Sequence, residues 1–266
     1  MTSTTNRITL YDAEFTLEEK TMSPYAVRIR LLLHYKNIPY DVVWLRFRDV
    51  DATAKAVGAA PTRVMADGSP GYTIPFITTK SVDDQTIAIS DSARIAQYIE
   101  ENFPDSENKL LPAETRFFQS IFSKYLIEKV STAIYGVALA SILDLFPSES
   151  DREWYLQTRR NVYGRGIEEL VPQDEASIQA AWRRFDTTFD DLAAHLDKAG
   201  EGNYRITGGV SYSEFELVSW LNMARRASYD GVWKRLASRN GGRWEKLMNL
   251  PVYKEILPAN RNVSPP

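Results

Sequence analysis

The sequence predicts an α/β domain followed by an all-α domain, and three observations carry that prediction. Over the first hundred residues, short runs rich in β-branched and aromatic residues alternate with helical stretches in the order β-α-β-α-β-β-α. A polar stretch bounded by two prolines, Pro104 to Pro112, then breaks the pattern. From about Ala113 to Leu250 apolar residues recur at helical spacing with almost no strand signal, which predicts a bundle of five to seven helices. The expected organisation is therefore a domain over 1–103, a linker over 104–112 and a helical domain over 113–266.

Arg7 to Tyr11 alternates loosely and predicts the first strand. A polar loop with Glu14, Glu18, Glu19 and Lys20 leads to Ser23-Pro24, a favoured N-cap residue followed by the residue best tolerated at the first helical position. Val27, Leu31 and Leu32 carry that helix to about Tyr35, and Lys36-Asn37-Ile38-Pro39 ends it. Tyr40 to Leu45 predicts the second strand and Asp51 to Ala60 a short, weak helix. After the turn signal Asp67-Gly68-Ser69-Pro70-Gly71, Tyr72 to Thr79 predicts a strand that contains Pro75, which implies an edge, a bulge or a cis peptide. Asp83-Asp84 predicts a hairpin turn before the strand Gln85 to Ser90. Asp91 then caps a helix with an apolar face of Ile95, Ala96, Ile99 and Phe103. This order is that of a thioredoxin-like domain, a mixed sheet between helices.

Composition excludes several classes of function. Of 266 residues 44% are apolar, enough for a sizeable core, and 32 Lys and Arg stand against 35 Asp and Glu, without the excess of one sign that nucleic acid or an anionic membrane would call for. The longest apolar-leaning stretch, Ala133 to Phe146, is interrupted by polar residues and falls short of the roughly 20 residues a membrane span needs. Met1 to Arg7 is polar and lacks the apolar core of a signal peptide, so the expectation is a cytoplasmic protein. Cysteine is absent, which removes disulfides, thiolate metal sites and any mechanism using a protein thiol. The two histidines, His34 and His195, lie far apart on predicted helices, so no metal site is expected.

The β-α-β-α-β-β-α unit, the linker and the helical domain, with Ser23-Pro24-Tyr25-Ala26 heading the first helix, Ile74-Pro75 entering the third strand and Asp91-Ser92 before the third helix, together resemble the cytosolic glutathione transferases of serine type. Ser211-Tyr212-Ser213-Glu214, preceded by Ile206-Thr207-Gly208-Gly209, looks like that family's N-capping box and is assigned to structure. Within the family, SPYAVRIRLLLHYKNIPYDVVWL and YTIPFI look most like the fungal class A enzymes and the bacterial β-etherases.

The resemblance implies the glutathione transferase fold, glutathione as co-substrate and a homodimer. It implies that Ser23 stabilises the glutathione thiolate, that Ile74 beside a cis-Pro75 pairs with the cysteinyl backbone, and that Asp91 and Ser92 take the amino group and α-carboxylate. Asp stands where the family usually has Glu, one methylene shorter. Lys55 and Arg63, then Arg46 and Arg48, are candidates for the glycine carboxylate, and Tyr11 stands behind Ser23 as an alternative aid to the thiolate. The implied activity is transfer of glutathione to a hydrophobic, aromatic electrophile in detoxification of xenobiotics, with aryl-ether cleavage open. Phe117, Phe118, Phe122, Tyr125, Tyr135 and Phe146 supply aromatic material in the helical domain. A glutathione-dependent carrier of hydrophobic molecules, and a regulatory or structural protein on the same fold, are the alternatives.

Overall fold

Ile8, Leu10 and Asp12 alternate with Thr9, Tyr11 and Ala13 along β1 (Ile8–Ala13), and this alternation divides the first unit into two layers about one sheet. The computed structural model describes residues 7–81, 83–103, 109–164 and 166–257. Next come α1 (Pro24–Tyr35), β2 (Tyr40–Leu45), a 3-10 turn (Phe47–Asp49), α2 (Val50–Ala56), the short pair β3 (Arg63–Val64) and β4 (Pro70–Gly71), β5 (Phe76–Lys80), β6 (Thr86–Ser90) and α3 (Ser92–Asn102). The main sheet has the order β2-β1-β5-β6, with β1 and β2 parallel and the other neighbours antiparallel.

Register partners share a face, so Ile8, Leu10 and Asp12 lie on the same side as Tyr40, Val42 and Trp44. That side faces α1, whose Arg30 guanidinium lies over the rings of Tyr40 and Trp44. On the other side Leu45 and Phe76 form a buried cluster with Val50, Ala54 and Ala59 around α2, with Tyr11 and Ile74 packed against it.

The sequence placed a strand over Tyr72 to Thr79, whereas the regular strand is Phe76–Lys80. Proline has no N–H for the ladder, so pairing begins only after Pro75. The Ile74-Pro75 peptide is cis. The hairpin turn falls where expected, with Asp84 at φ 58°. The expected linker lies mostly at 104–108, outside the described residues.

The helices beyond it are α4 (Ala113–Tyr125), a π-helical segment (Leu126–Ser131), α5 (Thr132–Leu143), α6 (Glu149–Tyr163), α7 (Glu175–Asp197), α8 (Tyr212–Ala227) and the short α9 (Lys234–Ala237), α10 (Arg243–Met248) and α11 (Pro251–Lys254). The chain divides into two units, and the division is not a single cut: 146–166, which includes α6, belongs with residues 1–108. Phe146 packs edge-on to Phe15 and close to Phe47 and Tyr155, and buried Asp151 takes the Arg46 guanidinium at 3.1 Å. Helical periodicity reports that α6 is a helix but not which core it joins.

In the second unit α5 packs against α7 and α8, around fully buried Phe185, Phe189, Phe215, Trp220 and Trp244. Continuity through the π-helical segment makes Ala113–Leu143 one helix of 31 residues, long and apolar enough by length and composition to cross a membrane, which the sequence reading did not anticipate. Its Val130, Ala133, Ile134, Ala138, Leu139 and Ile142 are buried within the unit, the pattern of a core helix. At the head of α8 the Ser211 hydroxyl accepts the Glu214 N–H as expected. Glu214 does not complete a reciprocal box but turns to Arg205 at 2.8 Å, to the Ile206 N–H and to the Tyr253 hydroxyl. A reciprocal box forms instead at α7, between Asp174 and Ser177.

Candidate active site

The register gathers the three sequence signals at one end of the main sheet. Tyr11 pairs with Phe76 and Phe76 with Ser90, so Pro75 adjoins the last residue of β6 and Asp91-Ser92 follows directly. β1, β2 and β6 finish at this end and β5 starts there, so the helices that follow β1 and β6 open their N-termini toward it. Two helix N-termini at one sheet end make a place where anions are favoured.

Ser23 is the N-cap of α1, with Pro24 at the first helical position, but its side chain makes no capping hydrogen bond. Its carbonyl accepts the N–H groups of Ala26 and Val27 at 3.1 and 2.9 Å, so the backbone opens the helix while the hydroxyl is not used to close it. Asp91 behaves differently. One carboxylate oxygen accepts the N–H groups of Ala93 and Arg94 at 2.9 and 3.1 Å, so capping is a real part of its work. Its φ of 76° is a conformation costly to any residue but glycine, of the kind that collects at binding sites. Ser92 is buried at the first position of α3.

Ile74 is half-buried against the α2 cluster, and the segment before it is tied to β3 by Thr62 and Thr73 hydroxyls 2.7 Å apart. Of the four nominated cations, Lys55 lies over the Tyr72 ring, 5.2 Å from its centroid and beside the 72–75 segment. Arg46 is committed to Asp151, Arg48 reaches Ser150 at 3.5 Å, and Arg63 sits in β3 against Gly71. The Tyr11 ring stacks on Phe76 at 4.5 Å between centroids, which gives it a packing role on the α2 side. His34 and His195 are exposed helical residues, and the described residues hold no cluster of three groups able to bind a metal.

Sequence reasoning missed Asp12. It is fully buried near the same sheet end, and burial pushes its carboxyl up to about 6, against the opposing pull of the Thr21 hydroxyl, the Arg30 charge and the Ala13 N–H. A charged residue continuing the inward series Ile8, Leu10, Asp12 was the available signal.

Of the six aromatic residues named in the helical part, Phe146 is buried in the first unit and Tyr135 meets Trp220 edge-on at 6.1 Å. Phe117 and Phe118 of α4 are each 68% exposed.

Comparison with known proteins matches this architecture at both ends of the chain. Residues 22–102 match the family model of the glutathione S-transferase N-terminal domain, and residues 117–250 that of the C-terminal domain. The glutathione S-transferase-like protein ustS of Aspergillus flavus is 22% identical over 240 residues, covering 88% of this chain and 84% of that one. A glutathione transferase of Phanerochaete chrysosporium is 26% identical with a TM-score of 0.80, covering 91% of this chain and 94% of its own. A glutathione S-transferase of Ceriporiopsis subvermispora, crystallised in complex with glutathione, is 27% identical with a TM-score of 0.82, covering 97% and 98%. With family models of both domains matching residues 22–102 and 117–250, most of its length, the chain belongs to the glutathione S-transferases.

Proposed function

We propose that this protein binds glutathione at the end of the main sheet, holds its sulfur as thiolate with Ser23 and transfers it to a hydrophobic, aromatic electrophile. The observation that carries the proposal is the Ser23 hydroxyl, which stands at the N-terminus of α1 without serving as its cap. A free thiol has a pKa of about 8.5, and lowering it by about two units takes roughly 3 kcal/mol of preference for the anion. One charge-assisted hydrogen bond and a helix N-terminus together reach that figure. The thiol proton passes to solvent, the sulfur forms a bond to the electrophilic carbon, and the leaving group departs with its electron pair, or the electrons shift along the acceptor in an addition. Ser23 forms no covalent bond, and with no cysteine in the chain the chemistry is carbon-centred conjugation.

The remaining residues follow the same geometry. Ile74 supplies backbone to the cysteinyl part, Asp91 with its second carboxylate oxygen meets the amino group, and Ser92, through its hydroxyl and N–H, meets the α-carboxylate. Lys55 takes the glycine carboxylate, because it lies beside the 72–75 segment. The Ceriporiopsis relative crystallised with glutathione supports the choice of co-substrate. The aromatic electrophile and aryl-ether cleavage rest on likeness to the fungal and β-etherase branches. We assign a cytoplasmic homodimer, whose second copy would remove from water the exposed Phe117, Phe118 and Ile121 of α4.

Replacing Ser23 by Ala and assaying conjugation of glutathione to an activated aryl halide tests the proposal. Loss of turnover with retained glutathione binding is expected, and unchanged turnover would overturn it. If binding to immobilised glutathione persists while no electrophile is turned over by the intact protein, the carrier reading replaces the enzymatic one.

A further inference from the structure

The buried Asp12 has no part in the roles described so far, and its surroundings suggest one. Three polar atoms near it are buried without a well-formed hydrogen bond among the described residues: Asp12 Oδ2, Thr21 Oγ1 and Arg30 Nη1. The other carboxylate oxygen accepts the Ala13 N–H at 2.8 Å. Thr21 and Arg30 are the two side chains that act on the carboxylate, so the three groups lie near one another in an otherwise largely apolar layer. From β2, the register partner is the uncharged Trp44, whose ring holds the Arg30 guanidinium at 5.3 Å.

The three residues bracket Ser23. Thr21 lies two residues before it, at the end of the loop from β1, and Arg30 lies two turns into the helix that Ser23 opens. That loop is anchored at its other end by Phe15, which packs on Phe47 and donates its N–H to the Lys20 carbonyl at 2.7 Å. The junction between loop and helix thus carries, on either side of Ser23, a side chain that acts on the Asp12 carboxylate, and a hydroxyl that must meet a sulfur at hydrogen-bond distance tolerates little displacement. Ionised groups rarely occupy such a layer unless their interactions are needed.

We propose that Asp12 is a positioning residue for Ser23, gripping Thr21 on the incoming loop and Arg30 on α1 so that the Ser23 hydroxyl is fixed at the site of the glutathione sulfur. This rests on the assignment of Ser23 above, and the test keeps the two apart. Asp12→Asn, Ser23→Ala and the double variant are compared by kcat and KM for glutathione, and by the ultraviolet absorbance of the bound thiolate as a function of pH. Asp12→Asn is expected to leave KM within about twofold, raise the apparent pKa of the bound thiol by about one unit and, by the loss of thiolate, lower kcat near neutrality by about threefold. In the Ser23→Ala background it should have no further effect. Additive losses, or an unchanged thiol titration in Asp12→Asn, overturn the positioning role whatever Ser23→Ala does alone. Should Asp12→Asn fail to fold, Thr21→Val removes the nearby hydroxyl at constant shape. The thiol pKa should again rise, and an unchanged value overturns the proposal.

Discussion

Removing the charge of Asp12 should change stability in a direction opposite to that of most native carboxylates. Its carboxyl stands at about 6 in the folded chain against an ordinary 3.8, with burial as the largest cause. The group binds its proton more tightly folded than unfolded, so between these values the native state carries more protons. Stability contributed by this group therefore falls as pH rises from about 4 to 6. At about 1.36 kcal/mol per pKa unit, the ionised form costs roughly 3 kcal/mol at neutrality relative to an unperturbed carboxyl. That figure is already net of the attraction of Arg30, and Asp12→Asn, which stands in for the protonated acid, removes the titration, so a gain of about 3 kcal/mol near pH 7 is expected, vanishing below about pH 4. Urea unfolding of both proteins at closely spaced pH values measures it. The difference between them isolates Asp12 from carboxylates such as Asp190, which Arg239 holds low and which contribute the opposite slope. A difference that stays flat from pH 4 to 7, or a variant less stable only at neutral pH, would refute the reasoning.

Three further outcomes test the packing and the site. Phe76→Ala, at a fully buried position stacked on Tyr11, should cost about 3–5 kcal/mol in urea unfolding, with only a minor loss arguing against the α2 cluster as described. Arg243 donates to the Ala193 and Asn203 carbonyls at 3.0 and 2.9 Å as well as to Asp197, so Arg243→Ala should destabilise by about 2–4 kcal/mol, and Arg243→Lys should recover only part of it. Lys55→Ala should raise KM for glutathione by about fivefold to tenfold with little change in kcat, the pattern of lost uniform binding, whereas an unaltered KM would remove Lys55 from the glycine end.

Local sequence determined the element types because their signals act over a few residues. Ser23-Pro24, Asp91 and the Asp83-Asp84 turn placed their helices and hairpin correctly, and periodicity marked the stretch from about Ala113 to Leu250 as helical, though it expected five to seven helices where the described residues form eight, α4 to α11. The absence of cysteine settled, without any coordinates, that no protein thiol takes part. Tertiary structure decided what depends on long-range partners. The pairing Tyr11, Phe76, Ser90 brings separate dipeptides to one sheet end, and whether a capping residue spends its side chain on the cap distinguishes Ser23 from Asp91. Glu214 carries the spacing of a capping box yet turns to Arg205 and Tyr253, because those partners come from other segments. Likewise α6 reads as one more helix of a bundle, and the contacts of Phe146 and Asp151 place it with the first unit. Asp12 shows the same limit: one letter in a strand, whose meaning depends on the depth at which the fold buries it and on the charge that α1 carries to it.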